Sequence, residues 1–179
     1  MTIETIEHQP QIAADRFVLR PLRTSDAGML GFYAGDERVA RMTSAIPHPM
    51  PPGAAEAFIA RSLATDNPEV VWVLDGSEFG GAEVMGIISL KRMERGQCEI
   101  GYWIAPPYWN TGLASAAVNA LIEANPLGCR TIFAKVFQDN AASARVLSNA
   151  GFQYLGDAET FSVARNMAVP TWTYTKTLG

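Results

Sequence analysis

The sequence predicts a mixed α/β (α+β) fold of about seven strands and four helices, arranged as one domain over residues 1–179. Three observations predict it. The chain has 179 residues, which is the size of one domain that can close its own core. Its composition, 48% hydrophobic and 18% charged, is ordinary for a folded protein. Apolar runs of strand length alternate with segments of helical periodicity, and no repeat or break in composition divides them.

The N-terminal third contains one predicted strand and two predicted helices. Residues 1–14 show no strong pattern and are expected to form a loose lead-in, whereas residues 16–21 alternate as a first strand. Residues 24–34 begin with capping residues and continue with helical spacing. The segment 44–53 contains five residues that are Pro or Gly, so it is predicted to be an irregular loop. A second helix is predicted at 54–64.

The rest of the chain alternates six strands with two further helices. The polar turn 92–96 separates two apolar runs, which predicts a hairpin. Pro106 ends the second of these strands because proline has no N–H for the ladder. Gly151 stands where a glycine C-cap would end the last helix. The predicted strands lie at 70–74, 84–90, 97–104, 131–137, 152–155 and 172–178, and the predicted helices at 113–123 and 141–150.

Charge, cysteines and hydropathy restrict the classes of function. The net charge of −4 and the pI near 5.2 supply no obvious basic face, so we expect no nucleic-acid partner. Cys98 and Cys129 lack the spacing of a zinc site, and we expect two reduced, partly buried thiols and no metal. No segment resembles a secretory signal or a membrane span of roughly 18 apolar residues. We therefore expect a cytoplasmic protein that does not contact membranes.

The most informative stretch runs from Glu99 to Ala114, where an apolar strand, a proline stop and a short polar loop precede a helix rich in small residues. The first amides of a helix have no internal partner, and the helix dipole adds positive charge there, so an anion can bind. Gly112 and Ala114 would let a diphosphate approach those amides. The spacing matches neither a P-loop nor a GxGxxG turn. Alone, this pattern is also typical of many α/β proteins that bind no phosphate.

A second strand-to-helix unit follows at residues 136–152. Together, the stretches IGYWIAPPYWNTGLASAA and DNAASARVLSNAGF resemble the GNAT superfamily of N-acetyltransferases, and more narrowly its RimJ/RimL-like branch. The early stretches FVLRPLRTSDA and RMTSAIPHPMPP are similar to that branch as well. The resemblance covers roughly residues 15–178, nearly the whole chain.

The resemblance implies a mostly antiparallel sheet in which two neighbouring strands, 97–104 and 131–137, splay apart to hold acetyl-CoA. The family pattern Gln/Arg-x-x-Gly-x-Gly/Ala falls on residues 109–114, with Trp109 in place of the first polar residue. Backbone amides of this loop would then bind the diphosphate. Asn140 would form a hydrogen bond with the pantetheine arm, the alternative being that it acts only as a helix N-cap. The implied cofactor-binding residues are Ile104, Ala105, Pro106, Trp109, Asn110, Thr111, Gly112, Leu113, Ala114, Asn140 and Ser143.

For catalysis, the resemblance assigns Ser143 the protonation of the departing thiolate, the alternative being a capping or surface serine. Glu99 is the candidate base, the alternative being a solvent-facing strand carboxylate or a water chain that does the same work. Lys135 stands where a related branch has a glutamate. An amide near Ile104 or Ala105 would stabilise the developing oxyanion. Tyr102 and Tyr108 are reserve acids.

The acceptor is expected to be a primary amine, either a protein or peptide N-terminus or a small molecule, attacking directly in a ternary complex. Residues suggested by the resemblance to line its pocket are Met42, His48, Met50 and Trp172. Two other readings stay open: a catalytically silent CoA-binding sensor or interaction module, and an α/β protein that binds no CoA. The expected state is a monomer or homodimer.

Overall fold

The computed structural model describes residues 9–178, which have a mixed α/β architecture. The strands are β1 (Ile12–Ala13), β2 (Val18–Pro21), β3 (Glu69–Asp75), β4 (Gly86–Arg92), β5 (Gln97–Ile104), β6 (Thr131–Phe137), β7 (Gln153–Ser162) and β8 (Met167–Thr177). The α-helices are α1 (Ala27–Ala34), α2 (Glu37–Ala40), α3 (Ala54–Leu63), α4 (Leu113–Ala124) and α5 (Ala141–Asn149). Among residues 9–178, no helix has both the length and the apolarity that crossing a bilayer requires.

The eight strands form one open sheet in the order β1-β2-β3-β4-β5-β6-β8-β7. Neighbouring strands are antiparallel except β5 and β6, which run parallel. Their pairing covers three residue pairs, Gln97↔Thr131, Cys98↔Ile132 and Glu99↔Phe133. Both strands continue beyond these pairs, so they are no longer paired after Glu99 and Phe133. The predicted splay between residues 97–104 and 131–137 is therefore present.

Helices cover both faces of the sheet because the central strands are apolar on both sides. In β3, Trp72 and Leu74 are buried in one core cluster and Val71 and Val73 in another. The first cluster also contains residues of α4 and α5, such as Leu121. The second contains residues of α1 and α3. The splay between β5 and β6 thus opens from one helical layer to the other.

Four elements, β1, α2, β7 and β8, differ from the sequence-based expectation. The predicted loose lead-in is wrong at residues 12–13, where β1 pairs with β2, while residues 1–8 lie outside the described part of the chain. The four-residue helix α2 was not predicted, because one turn is too short to show helical periodicity. Strands β7 and β8 extend well beyond the predicted 152–155 and 172–178. The edge strand β7 is largely exposed and polar, so it lacks the apolar alternation that marks a strand.

The prediction of two reduced thiols is wrong. Cys98 on β5 and Cys129 in the loop before β6 form a disulfide across 31 residues of chain, and both side chains are buried. The spacing of the two cysteines in the sequence does not predict a disulfide. They come together only because α4 packs on the sheet and β6 pairs beside β5. The bridge lies at the end of the sheet where β5 and β6 are still paired.

Removing this bridge is expected to lower the free energy of unfolding by about 3–4 kcal/mol, since closing a loop of 31 residues restricts the unfolded chain. Urea unfolding of the Cys98→Ala/Cys129→Ala variant against the wild type would measure the change. Reductant provides the internal control: it should destabilise the wild type and leave the double variant unchanged. Identical wild-type midpoints with and without reductant would contradict the bridge.

Candidate functional site

Strand β5 presents to the gap beside β6 main-chain groups that do not pair with β6. The amide of Ala105 donates to the carbonyl of Met85 at 2.9 Å, so Ala105 faces β4. Because successive residues of an antiparallel ladder point their N–H and C=O groups in opposite directions, those of Ile104 and Tyr102 face the gap. The Ala105 amide is therefore not available for an oxyanion, and the Ile104 amide is the one that fits the sequence-based expectation.

The loop between β5 and α4 ends in an uncapped helix N-terminus. A 3₁₀ turn at Pro106–Tyr108 leads to Asn110, which has a positive φ of 62°, and to Gly112 at φ 81°. Gly112 is the N-cap of α4, and no side chain caps that helix. The first-turn amides of α4 are therefore open to an anion, in the place that the glycine and alanine pattern predicts.

Arg16 fixes the orientation of this loop. Its Nη1 donates to the carbonyl of Thr111 at 2.8 Å. In a trans peptide the C=O and the following N–H point in opposite directions, so this contact turns the Gly112 N–H away from Arg16. A Cβ on Gly112 would lie 3.5 Å from Arg16 Nη2, which places the guanidinium charge beside the loop.

Trp109 lies across the opening of the gap. Its indole Nε1 donates to the carbonyl of Ile104 at 2.6 Å, and the Arg38 guanidinium stacks on its ring at 5.3 Å from the centroid. The side chain is 39% exposed. The position where the family pattern has a polar residue is thus filled by an indole that donates a hydrogen bond within the site.

The start of α5 approaches β5 through a pair of hydroxyls. Asn140 is the N-cap of α5, and its Oδ1 accepts a hydrogen bond from the Ser143 amide at 3.4 Å. Ser143 Oγ lies 2.7 Å from the hydroxyl of Tyr102. Burial raises the pKa of Tyr102 to about 12, although the hydrogen bond with Ser143 acts in the opposite direction. Tyr102 is therefore a protonated donor throughout the neutral range.

Two cavities adjoin at Tyr102. The smaller, about 450 Å³, lies over the start of α4 and α5, and the larger, about 680 Å³, lies on the side of α1 and α3. Among residues 9–178, four line both cavities: Met42, Thr43, Tyr102 and Trp103. Ser143 lines the smaller cavity, so the hydroxyl pair lies where the two cavities are next to each other.

Most of the predicted cofactor residues share the smaller cavity. They are Ile104, Trp109, Asn110, Gly112, Leu113, Ala114, Asn140 and Ser143. Ala105, Pro106 and Thr111 are not among its lining residues; Ala105 is fully buried, and Thr111 turns its carbonyl toward Arg16. Tyr108, a reserve acid, also lines this cavity.

Glu99 lies on the floor of the larger cavity, where its Oε2 is 3.8 Å from Lys135 Nζ. Of the residues suggested for the acceptor pocket, Met42 and Met50 line this cavity, whereas His48 and Trp172 are not among its lining residues. His48 precedes Pro49 through a cis peptide bond in the predicted irregular loop.

Arg165, in the turn between β7 and β8, contacts residues from two other parts of the chain. Its Nε and Nη2 donate to the carbonyl of Arg41, its guanidinium forms two hydrogen bonds with Asp139, and it stacks on Phe137 at 5.0 Å. These hydrogen bonds hold the pKa of Asp139 below its usual value. The turn is thereby fixed against the loop that contains Met42 and against the residue that precedes Asn140.

Arg16, Arg38 and Arg165 were not predicted from the sequence as residues of the site. Arg16 and Arg165 act on residues 95 and 124 positions away in the chain, so no local pattern relates them to the site. The contact of Arg38 with Trp109 depends on the short helix α2, which was itself not predicted.

Comparison with known proteins agrees with this geometry. The family described as Acetyltransferase (GNAT) domain matches residues 16–153. An uncharacterized N-acetyltransferase of Bacillus subtilis, YoaA, is 28% identical over 160 residues, covering 82% of this chain and 85% of its own. The fold also superposes on RimL, a ribosomal L7/L12 alpha-N-protein acetyltransferase in complex with coenzyme A, with a TM-score of 0.80, 16% identity and coverage of 94% and 98%.

A second solved structure of the same fold is the microcin C7 self-immunity acetyltransferase MccE in complex with acetyl-CoA and AMP. It has a TM-score of 0.78 and 17% identity, and the match covers 91% of this chain and 93% of that one. The family match spans well over half of the chain. The chain therefore belongs to the GNAT family of acetyltransferases.

Proposed function

We propose that this chain transfers an acetyl group from acetyl-CoA to a primary amine, with both substrates bound at once. The observation that carries the proposal is that the two cavities adjoin at Tyr102, whose hydroxyl lies 2.7 Å from Ser143 Oγ. One substrate entering from each side of the sheet would meet its partner at these hydroxyls, as direct attack in a ternary complex requires. RimL and MccE, which share the fold, were solved with coenzyme A and acetyl-CoA.

The residues of the smaller cavity suit coenzyme A. The uncapped amides at the start of α4 match a diphosphate, and the Arg16 guanidinium adds positive charge beside them. The Ile104 carbonyl faces the gap and suits an amide donor of the pantetheine arm, as an added strand would use it, once the arm displaces the Trp109 indole N–H from that oxygen. Asn140 lies at the same cavity and has a side-chain NH2 group that can donate to that arm.

The proposed chemistry uses three groups of the chain. Glu99, about 10 Å from Tyr102 along β5, takes the proton of the incoming amine through a chain of water molecules, so that the nitrogen can form its bond to the thioester carbon. The Ile104 amide donates to the carbonyl oxygen as negative charge develops there. Ser143 protonates the sulfur as the carbon–sulfur bond breaks, Tyr102 returns a proton to Ser143, and the proton that Glu99 took from the amine restores Tyr102 through solvent. The products are the acetylated amine and the free thiol.

Two measurements test the proposal. Micromolar acetyl-CoA should raise the melting temperature, because a ligand that binds only the folded state stabilises it. A panel of amines and N-terminal peptides should release free thiol with at least one acceptor. If acetyl-CoA binds but no acceptor releases thiol, the chain is a CoA-binding sensor, a reading favoured by the ion pair that engages Glu99 with Lys135. If acetyl-CoA does not bind, the proposal fails.

Glu99→Gln is expected to lower kcat by about 10–100-fold at neutral pH while the affinity for acetyl-CoA stays unchanged, because the amide cannot accept a proton. The loss should shrink at high pH, where more of the acceptor amine is neutral without help. Glu94→Gln, in the exposed turn between β4 and β5, is the matched control and should behave as the wild type. Full activity of Glu99→Gln across the pH range would remove Glu99 from the mechanism.

Trp109→Phe is expected to tighten acetyl-CoA binding by about two- to tenfold. The indole N–H occupies the Ile104 carbonyl that the pantetheine arm would use, and one such hydrogen bond contributes about 1 kcal/mol. Titration calorimetry would measure the change. The wild type should also show a change of tryptophan fluorescence on binding that is smaller in Trp109→Phe, in which Trp103 is the tryptophan that still lines the cavity. A weaker affinity in the variant would mean that the ring itself contacts the cofactor.

A further inference from the structure

The floor of the larger cavity carries a row of charged side chains that alternate in sign. Glu69 on β3 lies directly opposite Lys91 on β4, which in turn lies opposite Glu99 on β5. Directly opposed residues project from the same face of a sheet, so the three side chains are neighbours. Lys135 on β6 extends the row, with its Nζ 3.8 Å from Glu99 Oε2. All four residues line the cavity.

The cavity has a positive balance in an acidic protein. Among residues 9–178, its charged lining residues are three cations, Arg61, Lys91 and Lys135, and two carboxylates, Glu69 and Glu99, which leaves a balance of +1. The chain as a whole carries −4. Both carboxylates are already engaged, since the Ser89 hydroxyl donates to Glu69 at 2.8 Å and Lys135 pairs with Glu99. A negative group entering the cavity would therefore meet the excess of positive charge.

The surroundings strengthen that attraction. The walls include Leu30, Phe58, Ile87 and Phe137, and charges act more strongly beside such apolar surfaces than in open water. Thr171 lines the same cavity, is 1% exposed, and its Oγ1 finds no hydrogen-bond partner among residues 9–178. A buried hydroxyl without a partner is costly, and a ligand with acceptor atoms would relieve it.

The row lies at a defined distance from the reaction centre. Glu99 is three residues before Tyr102 on β5, and a strand rises about 3.3 Å per residue, so the two lie about 10 Å apart along the strand. Three residues of an extended peptide span about the same length. An acceptor with its nitrogen at Tyr102 would place a group near Lys135 at its third residue.

We propose that the acceptor is a primary amine that also carries an anionic group, a carboxylate or a phosphate, about 10 Å from the nitrogen. Lys91 and Lys135, which lie on either side of Glu99 in the row, bind that anion. The inference rests on the proposed acetyl transfer and specifies its substrate.

The inference is tested by comparing kcat/KM for acceptor amines that differ in the charge of one group. One set of probes is the tripeptide amides Ala-Ala-X, in which X is Glu, phosphoserine, Gln or Lys. The other compares 6-aminohexanoate with its uncharged amide. The value of kcat/KM should be roughly tenfold higher for the Glu peptide than for the Gln peptide, and lowest for the Lys peptide. The phosphoserine and Glu arms separate the two anions. The preference should decline with added salt.

Variants of the charged row test whether its lysines cause the preference for an anionic acceptor. Lys135→Met should bring the Glu and Gln peptides to equal kcat/KM, Lys135→Arg should restore the preference, and Lys135→Glu should favour the Lys peptide. Lys176→Met, on the neighbouring strand β8 and outside both cavities, is the matched control and should keep the wild-type order.

The outcomes separate this inference from the proposed function. If amines are acetylated without regard to charge, or if the preference persists in both Lys135→Met and Lys91→Met, the anion site is wrong and acetyl transfer stands. If acetyl-CoA binds and no probe or other amine is acetylated, both proposals fail.

Discussion

Ser143→Ala is expected to lower kcat by about 10²–10³-fold, with the affinity for acetyl-CoA nearly unchanged. The variant removes the hydroxyl that lies 2.7 Å from Tyr102 and leaves the Ser143 amide, which Asn140 holds, in place. The helix cap is therefore kept, and only the proton donor is lost. Stopped-flow or steady-state thiol release would give kcat, and titration calorimetry the affinity.

Ser148→Ala is the matched control for this prediction. Ser148 is on the same helix and is exposed, so its replacement tests the helix without touching the hydroxyl pair. It should retain wild-type kcat and stability. A Ser143→Ala variant as active as Ser148→Ala would show that the departing sulfur takes its proton from elsewhere.

Combining the variant with Tyr102→Phe tests whether the two hydroxyls act as a unit. If Tyr102 delivers its proton through Ser143, the double variant should be no slower than Ser143→Ala alone, because groups that act in series are not additive. The raised pKa of Tyr102, about 12, predicts a proton on that oxygen throughout the neutral range. The wild-type rate should therefore show no loss from tyrosine ionisation below pH ~10. Multiplied losses in the double variant would separate the two roles.

The sequence predicted best those strands in which an apolar segment ends at a residue that cannot extend the strand. Strands β5 and β6 have the predicted limits because a polar turn and the Pro106 stop bound the first and the cores of both are apolar. The splay between them followed from the family resemblance, and the register confirms it.

The features that were missed depend on contacts between distant parts of the chain. The disulfide joins residues whose spacing carries no motif, and Arg16 reaches a carbonyl 95 positions away. The charge row across β3 to β6 is equally invisible in the sequence, because Lys91 and Glu99 become neighbours only through the hairpin register. Local patterns locate the loops of the site, while the charges that surround them are set by the pairing of strands.

Gly112→Glu is expected to weaken acetyl-CoA binding by at least about 100-fold. The new carboxylate would stand at the uncapped amides of α4, where the diphosphate is proposed to bind, and would repel it while pairing with Arg16. A side chain at φ 81° also costs stability, of the order of 1–3 kcal/mol. Loss of binding through unfolding must therefore be separated from loss at the site.

Gly53→Glu makes that separation. Gly53 is the N-cap of α3 at φ 81°, the same backbone geometry, and a Cβ there meets no atom within 4 Å. Both variants should lose a similar amount of stability in urea unfolding, while only Gly112→Glu loses the thermal shift with acetyl-CoA. Gly112→Ala, which adds the backbone strain without the charge, should bind with intermediate affinity. Equal affinities for acetyl-CoA in Gly112→Glu and Gly53→Glu would place the diphosphate away from α4, because the added charge at its N-terminus would then be without effect.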